Sequence, residues 1–286
     1  MKPKPLLITG GSGYLGRYLT AQAAQKYNLY ATYYTHANEI KAGQPVRLDL
    51  TDPAETQQVI QELEPAAIIH AAAVNPGRGG VEMMMRVNVD GSRYIAQAAA
   101  AVNARLVHVS SDLVFDGKNA PYADDAAASP LNDYGRSKAA AETAVLEINP
   151  MAAVIRTSLI YGLDEMDRGT ASFVERLERG ETLALFSDVV RQPVWVGSLV
   201  EALLKLVEVR ASGMLNVAGR QPLTREEFGR RMLDRWQIDT KGRLQSARAA
   251  DISDTIPLDL RLSIHKAEQL LQMTFPGVDD VLAATG

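Results

Sequence analysis

The chain has 286 residues, of which 47% are hydrophobic, enough to bury a large core in one domain or in two closely joined ones. Its 30 Lys and Arg residues nearly balance its 34 Asp and Glu residues, which excludes the strongly basic surface that nucleic-acid binding demands. The absence of cysteine excludes disulfides, thiolate nucleophiles and zinc–sulfur sites.

The sequence contains no segment typical of membrane targeting. The apolar run in the opening MKPKPLLITGG is far too short for a signal peptide, and no later stretch is apolar over the thickness of a bilayer. We therefore expect a cytoplasmic protein that binds neither a membrane nor nucleic acid.

The first half of the chain alternates short apolar runs with helical patterns, which is typical of βαβ units in a parallel sheet covered on both faces. The predicted strands are Leu6–Thr9, Leu29–Tyr33, Val46–Leu48, Ala67–Ala71, Leu106–Ser110 and Ala153–Arg156. The predicted helices are Tyr14–Gln25, Pro53–Leu63 (after Asp52 as its cap), Glu82–Val102 and Tyr134–Ile148. This order predicts an α/β fold with a Rossmann-like, doubly wound parallel sheet.

After residue 157 the alternation becomes less regular. The predicted elements there are helix Ala171–Arg179, strand Leu183–Phe186, helix Ser198–Val209, an extended segment in GMLNVAG, helix Thr224–Trp236 and a short helix from His265. They predict a small C-terminal lobe over the carboxyl ends of the strands, where open α/β sheets bind ligands. We assign residues 1–158 and 189–212 to the Rossmann-like domain, and residues 159–188 and 213–286 to a substrate-binding lobe.

A glycine-rich loop, LLITGGSGYLGRYL, joins the first predicted strand to the first predicted helix. Gly10, Gly13 and Gly16 allow a tight turn, close approach of the backbone to a pyrophosphate, and close helix–strand packing, with the anion at the helix N-terminus. The loop therefore predicts a dinucleotide site. Its spacing is G-x-x-G-x-x-G, and its other predicted cofactor contacts are Tyr14, Leu15 and Arg17.

The choice between NAD and NADP depends on the end of the second strand. The sequence there reads LYATYYTHAN, without an acidic residue to hold the ribose 2′-hydroxyl, while Arg17 and His36 offer positive charge to a 2′-phosphate. We therefore expect NADP(H), with NAD(H) as the alternative; both residues would otherwise be ordinary surface residues. Further predicted cofactor contacts are Asp49, which could equally be a turn residue, Leu50, Ala71, Ala72 and Ala73.

Two polar residues, Asn88 and Ser111, are candidates for a functional role. Asn88 falls inside a predicted helix, where asparagine is a poor helix former and usually has another task, if only a buried hydrogen bond. Ser111, in RLVHVSSDLVFDG, follows a strand end, where the nicotinamide of a bound cofactor lies. Its hydroxyl can donate a hydrogen bond to a substrate carbonyl and polarise it.

The stretch NDYGRSKAAAE places Tyr134 and Lys138 four residues apart, and therefore side by side on one helix face. A tyrosine hydroxyl titrates at about pH 10, too high to exchange protons near neutrality. A neighbouring ammonium and an oxidised nicotinamide ring are expected to stabilise the phenolate and lower its pKa. Lys138 can also hydrogen-bond cofactor ribose hydroxyls; the alternative is a solvated helix face.

The glycine loop, Asn88, Ser111, Tyr134 and Lys138, in that order, resemble the extended short-chain dehydrogenases/reductases, and among them the dTDP-4-dehydrorhamnose reductases. The resemblance implies a catalytic Ser111–Tyr134–Lys138 triad, supported by Asn88, and hydride delivery from NAD(P)H to the C4 ketone of a nucleotide-linked 4-keto-6-deoxy sugar. The matching segments are ITGGSGYLGRYL, VHVSSDLVFDGKNAPYADDAAASPLNDYGRSKAAAE, VIRTSLIYG, RQPVWVGSLVEALL, GMLNVAG and PLDLRLSIHKAEQLL.

The chain departs from this pattern at two places near the expected sugar-nucleotide site. VNPGRGGVEMMM, from Val74 to Met85, replaces a stretch that usually carries a tyrosine and acids, and Leu159 replaces a common tryptophan. We predict substrate contacts from Ser111, Asp112, Arg156 and Arg191; both arginines suit phosphates, and their alternative role is in salt bridges between the lobes. Similar proteins often form homodimers through the helices equivalent to Glu82–Val102 and Tyr134–Ile148.

Two other functions fit the same motifs. A nucleotide-sugar epimerase or dehydratase would retain its cofactor, but similar dehydratases place an Asp–Glu pair where this chain has Asp112–Leu113. A dinucleotide-binding regulatory subunit, like that of methionine adenosyltransferase, would keep the fold without turnover. We expect no metal site, since His70 and His108 lie within strands and are predicted to be buried, hydrogen-bonded histidines.

Overall fold

The computed structural model describes residues 4–77 and 79–285, and within them a seven-stranded parallel sheet forms the centre of the molecule. The strands are β1 (Pro5–Thr9), β2 (Asn28–Tyr33), β3 (Gln44–Arg47), β4 (Ala67–His70), β5 (Arg105–Val109), β6 (Ala153–Thr157), β7 (Ile160–Tyr161), β8 (Leu183–Phe186), β9 (Val190–Arg191), β10 (Val194–Trp195), β11 (Gly213–Val217), β12 (Leu223–Thr224) and β13 (Leu244–Ala247). The sheet order is β3-β2-β1-β4-β5-β6-β11, which confirms the predicted Rossmann-like fold.

Helices cover both faces of the sheet and build the lobe. They are α1 (Tyr14–Ala23), α2 (Pro53–Leu63), α3 (Gly80–Met85), α4 (Ser92–Ala101), α5 (Asp133–Ile148), α6 (Arg168–Glu178), α7 (Val196–Glu208), α8 (Arg225–Arg235), α9 (His265–Leu271) and α10 (Val278–Ala284). Short 3₁₀ turns span Ala37–Glu39, Asp112–Val114 and Ala249–Asp251. No helix of the described ranges is both long enough and apolar enough to span a bilayer.

The core consists of two apolar layers, one on each face of the sheet. Alternate residues of β1 enter opposite layers, Leu6 and Ile8 on the side of α1 and α7, and Leu7 on the side of α2, α4 and α5. All three side chains are fully buried. This two-sided burial explains why the strands are almost continuously apolar in the sequence.

The strand order reverses between β1 and β4, which run side by side in the middle of the sheet while their chains continue to opposite edges. In open α/β sheets this reversal opens a crevice at the carboxyl ends of the strands. The glycine loop follows β1 and Ala71–Ala73 follow β4, so both predicted cofactor-binding segments lie at this crevice. The topology therefore brings together residues that are about sixty positions apart in the chain.

The predicted helix Glu82–Val102 is not one α-helix. It divides into α3, a π-helical turn at Arg86–Gly91, and α4. Side-chain bonds account for the interruption: Ser92 Oγ donates to the carbonyl oxygen of Asn88 at 2.6 Å, and the Asn88 side chain bonds away from the helix. π-helical turns of this kind occur frequently at functional sites.

The C-terminal half contains small paired elements that the sequence did not predict, namely the two-residue strands β7, β9, β10 and β12, together with β13 and α10. β8 pairs with β13 and β9 with β12 outside the central sheet. The predicted domain division placed Gly213–Val217 in the C-terminal lobe, but the segment lies elsewhere. It pairs in parallel with Ala153–Thr157 as the edge strand of the central sheet, because its apolar residues Leu215 and Val217 join the main core.

Candidate active site

The glycine loop is packed too closely for side chains. Gly10 has a φ of +71°, and a Cβ there would lie 2.7 Å from the Ala72 Cα; a Cβ on Gly16 would lie 2.1 Å from the Gly10 carbonyl oxygen. Gly13 N–H donates to that same carbonyl at 2.9 Å, and Gly13 is the N-cap residue of α1, whose first backbone N–H groups have no partner within the helix. The loop residues fit a dinucleotide, because they leave backbone alone to meet a pyrophosphate.

Gly16→Ala tests this packing. We expect the added methyl group to force the loop away from α1, lowering the unfolding free energy by about 1–3 kcal/mol and weakening NADPH binding by about tenfold or more. Isothermal titration with NADPH and urea unfolding measure the two effects. Gly169→Ala, at the start of α6, is the matched control, since its Cβ would meet only the Asp167 carboxylate at 3.1 Å. Wild-type NADPH affinity in Gly16→Ala would contradict this reading of the loop.

Arg17 does not point freely into solvent, since only 11% of its side chain is exposed. Its guanidinium donates to Glu165 Oε1 at 2.8 Å, to the Ser12 carbonyl at 3.3 Å and to Glu39 Oε2 at 3.4 Å. The prediction that no acid follows the second strand needs a correction. The stretch LYATYYTHAN lacks an acid, but the next residue, Glu39, is one. His36 is exposed at the start of the same 3₁₀ turn.

The other predicted cofactor contacts follow β3 and β4. Asp49 is a turn residue, because its Oδ1 accepts hydrogen bonds from the Thr51 backbone N–H at 2.9 Å and the Thr51 hydroxyl at 2.8 Å. Leu50 is buried against Gly91, and the half-buried Ala72 lies against Gly10. Ala71 and Ala73 flank Ala72 and are half-buried.

Lys138 is almost completely buried, with 2% of its surface exposed. Its Nζ donates to the Val109 carbonyl oxygen at 2.7 Å, which fixes the ammonium at the end of β5. Burial lowers the pKa of Lys138 to about 8, although the Glu142 carboxylate acts against the shift. α5 approaches this edge closely, since a Cβ on Gly135 would lie 2.1 Å from the Leu113 carbonyl.

Tyr134 is half-buried one turn before Lys138. Burial raises its pKa to about 12; the Asp112 carboxylate adds to the shift and the Arg191 guanidinium opposes it. The prediction that Lys138 lowers the pKa of Tyr134 is therefore wrong for the chain by itself, because the ammonium is directed to the Val109 carbonyl. The Tyr134 hydroxyl stays protonated at neutral pH and can donate a proton.

Ser111 stands at the end of β5, as predicted. Its hydroxyl accepts a hydrogen bond from the Leu113 N–H at 3.2 Å and donates one to Asp112 Oδ1 at 3.3 Å. Asp112 is fully buried and pairs with Arg191, whose Nε donates to Oδ2 at 2.8 Å and whose Nη2 donates to Oδ1. Asp112 and Arg191 therefore form a buried ion pair between the end of β5 and β9, within the electrostatic range of Tyr134.

Arg156 lies deeper and bonds to the protein on several sides. It donates to both Glu142 carboxylate oxygens at 2.8–3.2 Å and to the carbonyls of Asp124 and Ala126. Glu142 also accepts from the Ser110 hydroxyl at 2.6 Å. Of the two roles considered for Arg156, this geometry corresponds to the structural ion pair rather than to a substrate contact.

Asn88 holds the loop after β4 against α5. Its Oδ1 accepts from the Val74 N–H at 2.7 Å, and its Nδ2 donates to the Val74 carbonyl at 3.0 Å and to the Ser137 hydroxyl at 2.9 Å. Ser137 Oγ in turn donates to the Tyr134 carbonyl. The fully buried Asn88 amide therefore positions the backbone that carries Tyr134.

The two strand histidines are buried side by side, with ring centroids 5.2 Å apart. His70 bonds to the hydroxyls of Thr9 and Ser92, as predicted for a buried histidine. His108 does not, since neither of its ring nitrogens has a hydrogen-bond partner within the described residues. Burial and the Lys138 ammonium hold both histidine pKa values well below the usual range, so both rings are neutral.

Apolar residues occupy both places where the sequence departs from the family pattern, the segment Val74–Met85 and Leu159. Val81, Met83 and Met85 on α3 are 51%, 40% and 37% exposed. Arg78, in the same segment, lies outside the described residues. Leu159 packs against the apolar cluster that contains Tyr161 and Phe228, so its side chain contributes to the lobe core.

The buried amine of Lys138 predicts a pH-dependent stability. Its folded-state pKa of about 8 lies below its usual 10.5, so between these values the unfolded chain binds a proton that the folded chain has released, and stability rises with pH. Lys138→Met removes this group. From about pH 7.5 to about pH 9.5, we expect the variant's stability relative to wild type to fall by about 2 kcal/mol in urea unfolding. A constant difference would mean that the amine titrates normally.

Comparisons with known proteins identify the family of this chain. The family model of the RmlD substrate binding domain matches residues 4–278. dTDP-4-dehydrorhamnose reductase from Mycobacterium tuberculosis is 34% identical over 217 residues, which are 73% of this chain and 67% of the reductase. Methionine adenosyltransferase 2 subunit beta from Xenopus tropicalis is 31% identical over 254 residues, covering 81% of this chain and 72% of that protein.

The fold is also that of solved structures. The crystal structure of dTDP-4-dehydrorhamnose reductase from Bacillus anthracis in complex with NADP superimposes with a TM-score of 0.84, covering 99% of this chain and 98% of that chain at 24% identity. Together with the family model, these relatives confirm the resemblance that the motifs indicated: the chain belongs to the RmlD substrate binding domain family, within the extended short-chain dehydrogenases/reductases.

Proposed function

We propose that this protein is an NAD(P)H-dependent reductase of a nucleotide-linked 4-keto-6-deoxy sugar, of the dTDP-4-dehydrorhamnose reductase type, with NADP(H) preferred and NAD(H) as second choice. The observation that supports the proposal is that Ser111 and the Lys138 ammonium both lie at the carboxyl end of β5, with Tyr134 one turn before Lys138 on α5. The homology to reductases from Mycobacterium tuberculosis and Streptomyces niveus supports the same reaction class.

In this reaction the bound dinucleotide supplies a hydride to the ketone carbon. The Ser111 hydroxyl, which accepts from the Leu113 N–H and donates to Asp112 at 3.3 Å, would turn its proton to the ketone oxygen. Tyr134 donates its hydroxyl proton to that oxygen, which completes the alcohol. Lys138, anchored on the Val109 carbonyl in the chain by itself, would hydrogen-bond the ribose of a bound cofactor. Its charge, together with that of the oxidised nicotinamide, would then stabilise the phenolate left on Tyr134.

The structure gives less support to a dehydratase. That reaction needs a further free acid and base, and the Asp112 carboxylate is already paired with Arg191. The residue after it, Leu113, cannot act as an acid. An epimerase or dehydratase of this superfamily would also retain its cofactor, so cofactor-free protein after purification would argue against it.

A regulatory role is the second candidate, because the beta subunits of methionine adenosyltransferase 2 match the chain over a similar length. NADPH absorbance after addition of dTDP-4-keto-6-deoxy-L-mannose separates the two functions. Oxidation at enzymatic rates supports the reductase. NADPH binding without oxidation, together with altered activity of an added methionine adenosyltransferase, would support the regulatory subunit instead.

The location, the substrate lobe and the oligomeric state complete the proposed function. The protein works in the cytoplasm on a small nucleotide sugar, without nucleic acid, and residues 159–188 with the chain beyond β11 form its substrate lobe. Arg191 lies at the lobe boundary and becomes available to a substrate phosphate when one approaches its pair with Asp112. A homodimer would cover the exposed apolar residues of α3.

A further inference from the structure

Arg17 and Glu39 meet at the place where a dinucleotide-binding fold holds the ribose of adenosine. Arg17 is in the first turn of α1 and donates to the Ser12 carbonyl, so its guanidinium lies along the rim of the glycine loop. Glu39 closes the 3₁₀ turn that follows β2, the strand whose end holds this ribose in folds of the Rossmann type. A cation and an anion therefore face the same ribose.

These two charges favour different cofactors. A carboxylate accepts a hydrogen bond from the 2′-hydroxyl of NAD and repels the 2′-phosphate of NADP, whereas a guanidinium binds the phosphate. In this structure the Arg17 charge is shared, because Nη1 contacts Glu39 at 3.4 Å while Nε and Nη2 contact Glu165 at 3.2 and 2.8 Å.

The two carboxylates hold Arg17 to different degrees. Glu165 makes two contacts, comes from the segment after β7 and is 35% exposed. Glu39 makes one longer contact, is 43% exposed, and belongs to the ribose side of the crevice. Glu165 therefore sets the position of the guanidinium, and Glu39 is the partner that an incoming 2′-phosphate must displace.

We propose that Glu39 determines cofactor discrimination by competing with the 2′-phosphate for Arg17, and so keeps the preference for NADP(H) small enough for NAD(H) to bind as well. The inference deepens the proposed function, on whose dinucleotide site it rests. It identifies the acid that the sequence had indicated to be absent.

The test compares the dissociation constants of NADPH and NADH, measured by nicotinamide fluorescence without any sugar substrate. In Glu39→Gln, the ratio of the NADH constant to the NADPH constant is expected to rise about fivefold, the upper limit for a partly exposed ion pair. Glu62→Gln is the matched control: it removes the same charge from the exposed face of α2, where Glu62 accepts a hydrogen bond from Gln58, and should leave the ratio unchanged.

A double-mutant cycle tests whether Glu39 acts through Arg17. With Arg17→Gln as background, adding Glu39→Gln should change the ratio by clearly less than in the presence of Arg17, because the competition for the cation is gone and only the direct effect of the carboxylate on the ribose remains. An unchanged ratio in the single Glu39→Gln variant, or a full fivefold change in the Arg17→Gln background, would overturn the proposal. Because only binding is measured, a protein without reductase activity would still answer the question.

Discussion

Tyr134→Phe is expected to lower kcat for ketone reduction by about a thousandfold, within the range that a positioned general acid contributes. The substitution removes one hydroxyl and keeps the ring, so α5 and the packing around Lys138 should be unaffected. The dissociation constant of NADPH should stay within about twofold of wild type, since Lys138 retains its bond to Val109. Steady-state oxidation of NADPH with the keto sugar and fluorescence titration measure the two quantities.

Tyr161→Phe is the matched control for this prediction. Tyr161 is fully buried in the lobe, and its hydroxyl has no hydrogen-bond partner in the described part of the chain. Removing that hydroxyl should leave kcat unchanged. If Tyr134→Phe kept more than about a tenth of the wild-type kcat, the proton would have to come from another group, and Tyr134 would be only a packing residue.

Arg156→Met should destabilise the protein by about 3–5 kcal/mol, because it leaves the Glu142 carboxylate buried without its cation. The two side chains are only 3% and 2% exposed, so water cannot replace the lost bonds. The double variant Arg156→Met with Glu142→Gln should recover much of the loss, since the buried carboxylate that lacked its guanidinium partner is then also gone. Urea unfolding of the three proteins measures the differences.

A surface pair provides the contrast. Arg136 and Asp133 are 53% and 48% exposed, so Arg136→Met should change the unfolding free energy by less than about 1 kcal/mol. If Arg156→Met were as stable as wild type but bound the sugar nucleotide poorly, Arg156 would be a substrate ligand, as first considered. The prediction therefore separates the two roles proposed for this residue.

The central sheet and the glycine loop could be predicted because their signals are local. A buried strand is apolar over successive residues, and the glycines follow directly after one, so β1, β2 and β4 to β6 form within about two residues of their predicted bounds. The topology then places Ser111 and α5 at the same edge. Tyr134 and Lys138 followed from helical spacing alone.

What the sequence did not predict depends on contacts between distant residues. No sequence pattern near Arg156 indicates that Glu142 is its partner. None near Arg17 indicates that Glu165, 148 positions away, is the partner there. The pKa of Tyr134 was misjudged for the same reason, because its shift depends on burial and on Asp112 rather than on its helical neighbour. Paired strands of two residues, such as β9 and β12, are too short to show a period.

The π-helical turn at Arg86–Gly91 makes the number of residues in this segment as important as their identity. An α-helix rotates by about 100° per residue, so removing one residue here would turn α3 by that angle relative to α4. Asn88 would then face away from Val74 and Ser137, whose bonds it now closes. Substitutions on the exposed face of α3 would leave these hydrogen bonds in place, whereas a single insertion or deletion between β4 and α4 would separate the cofactor crevice from the helix that carries Tyr134.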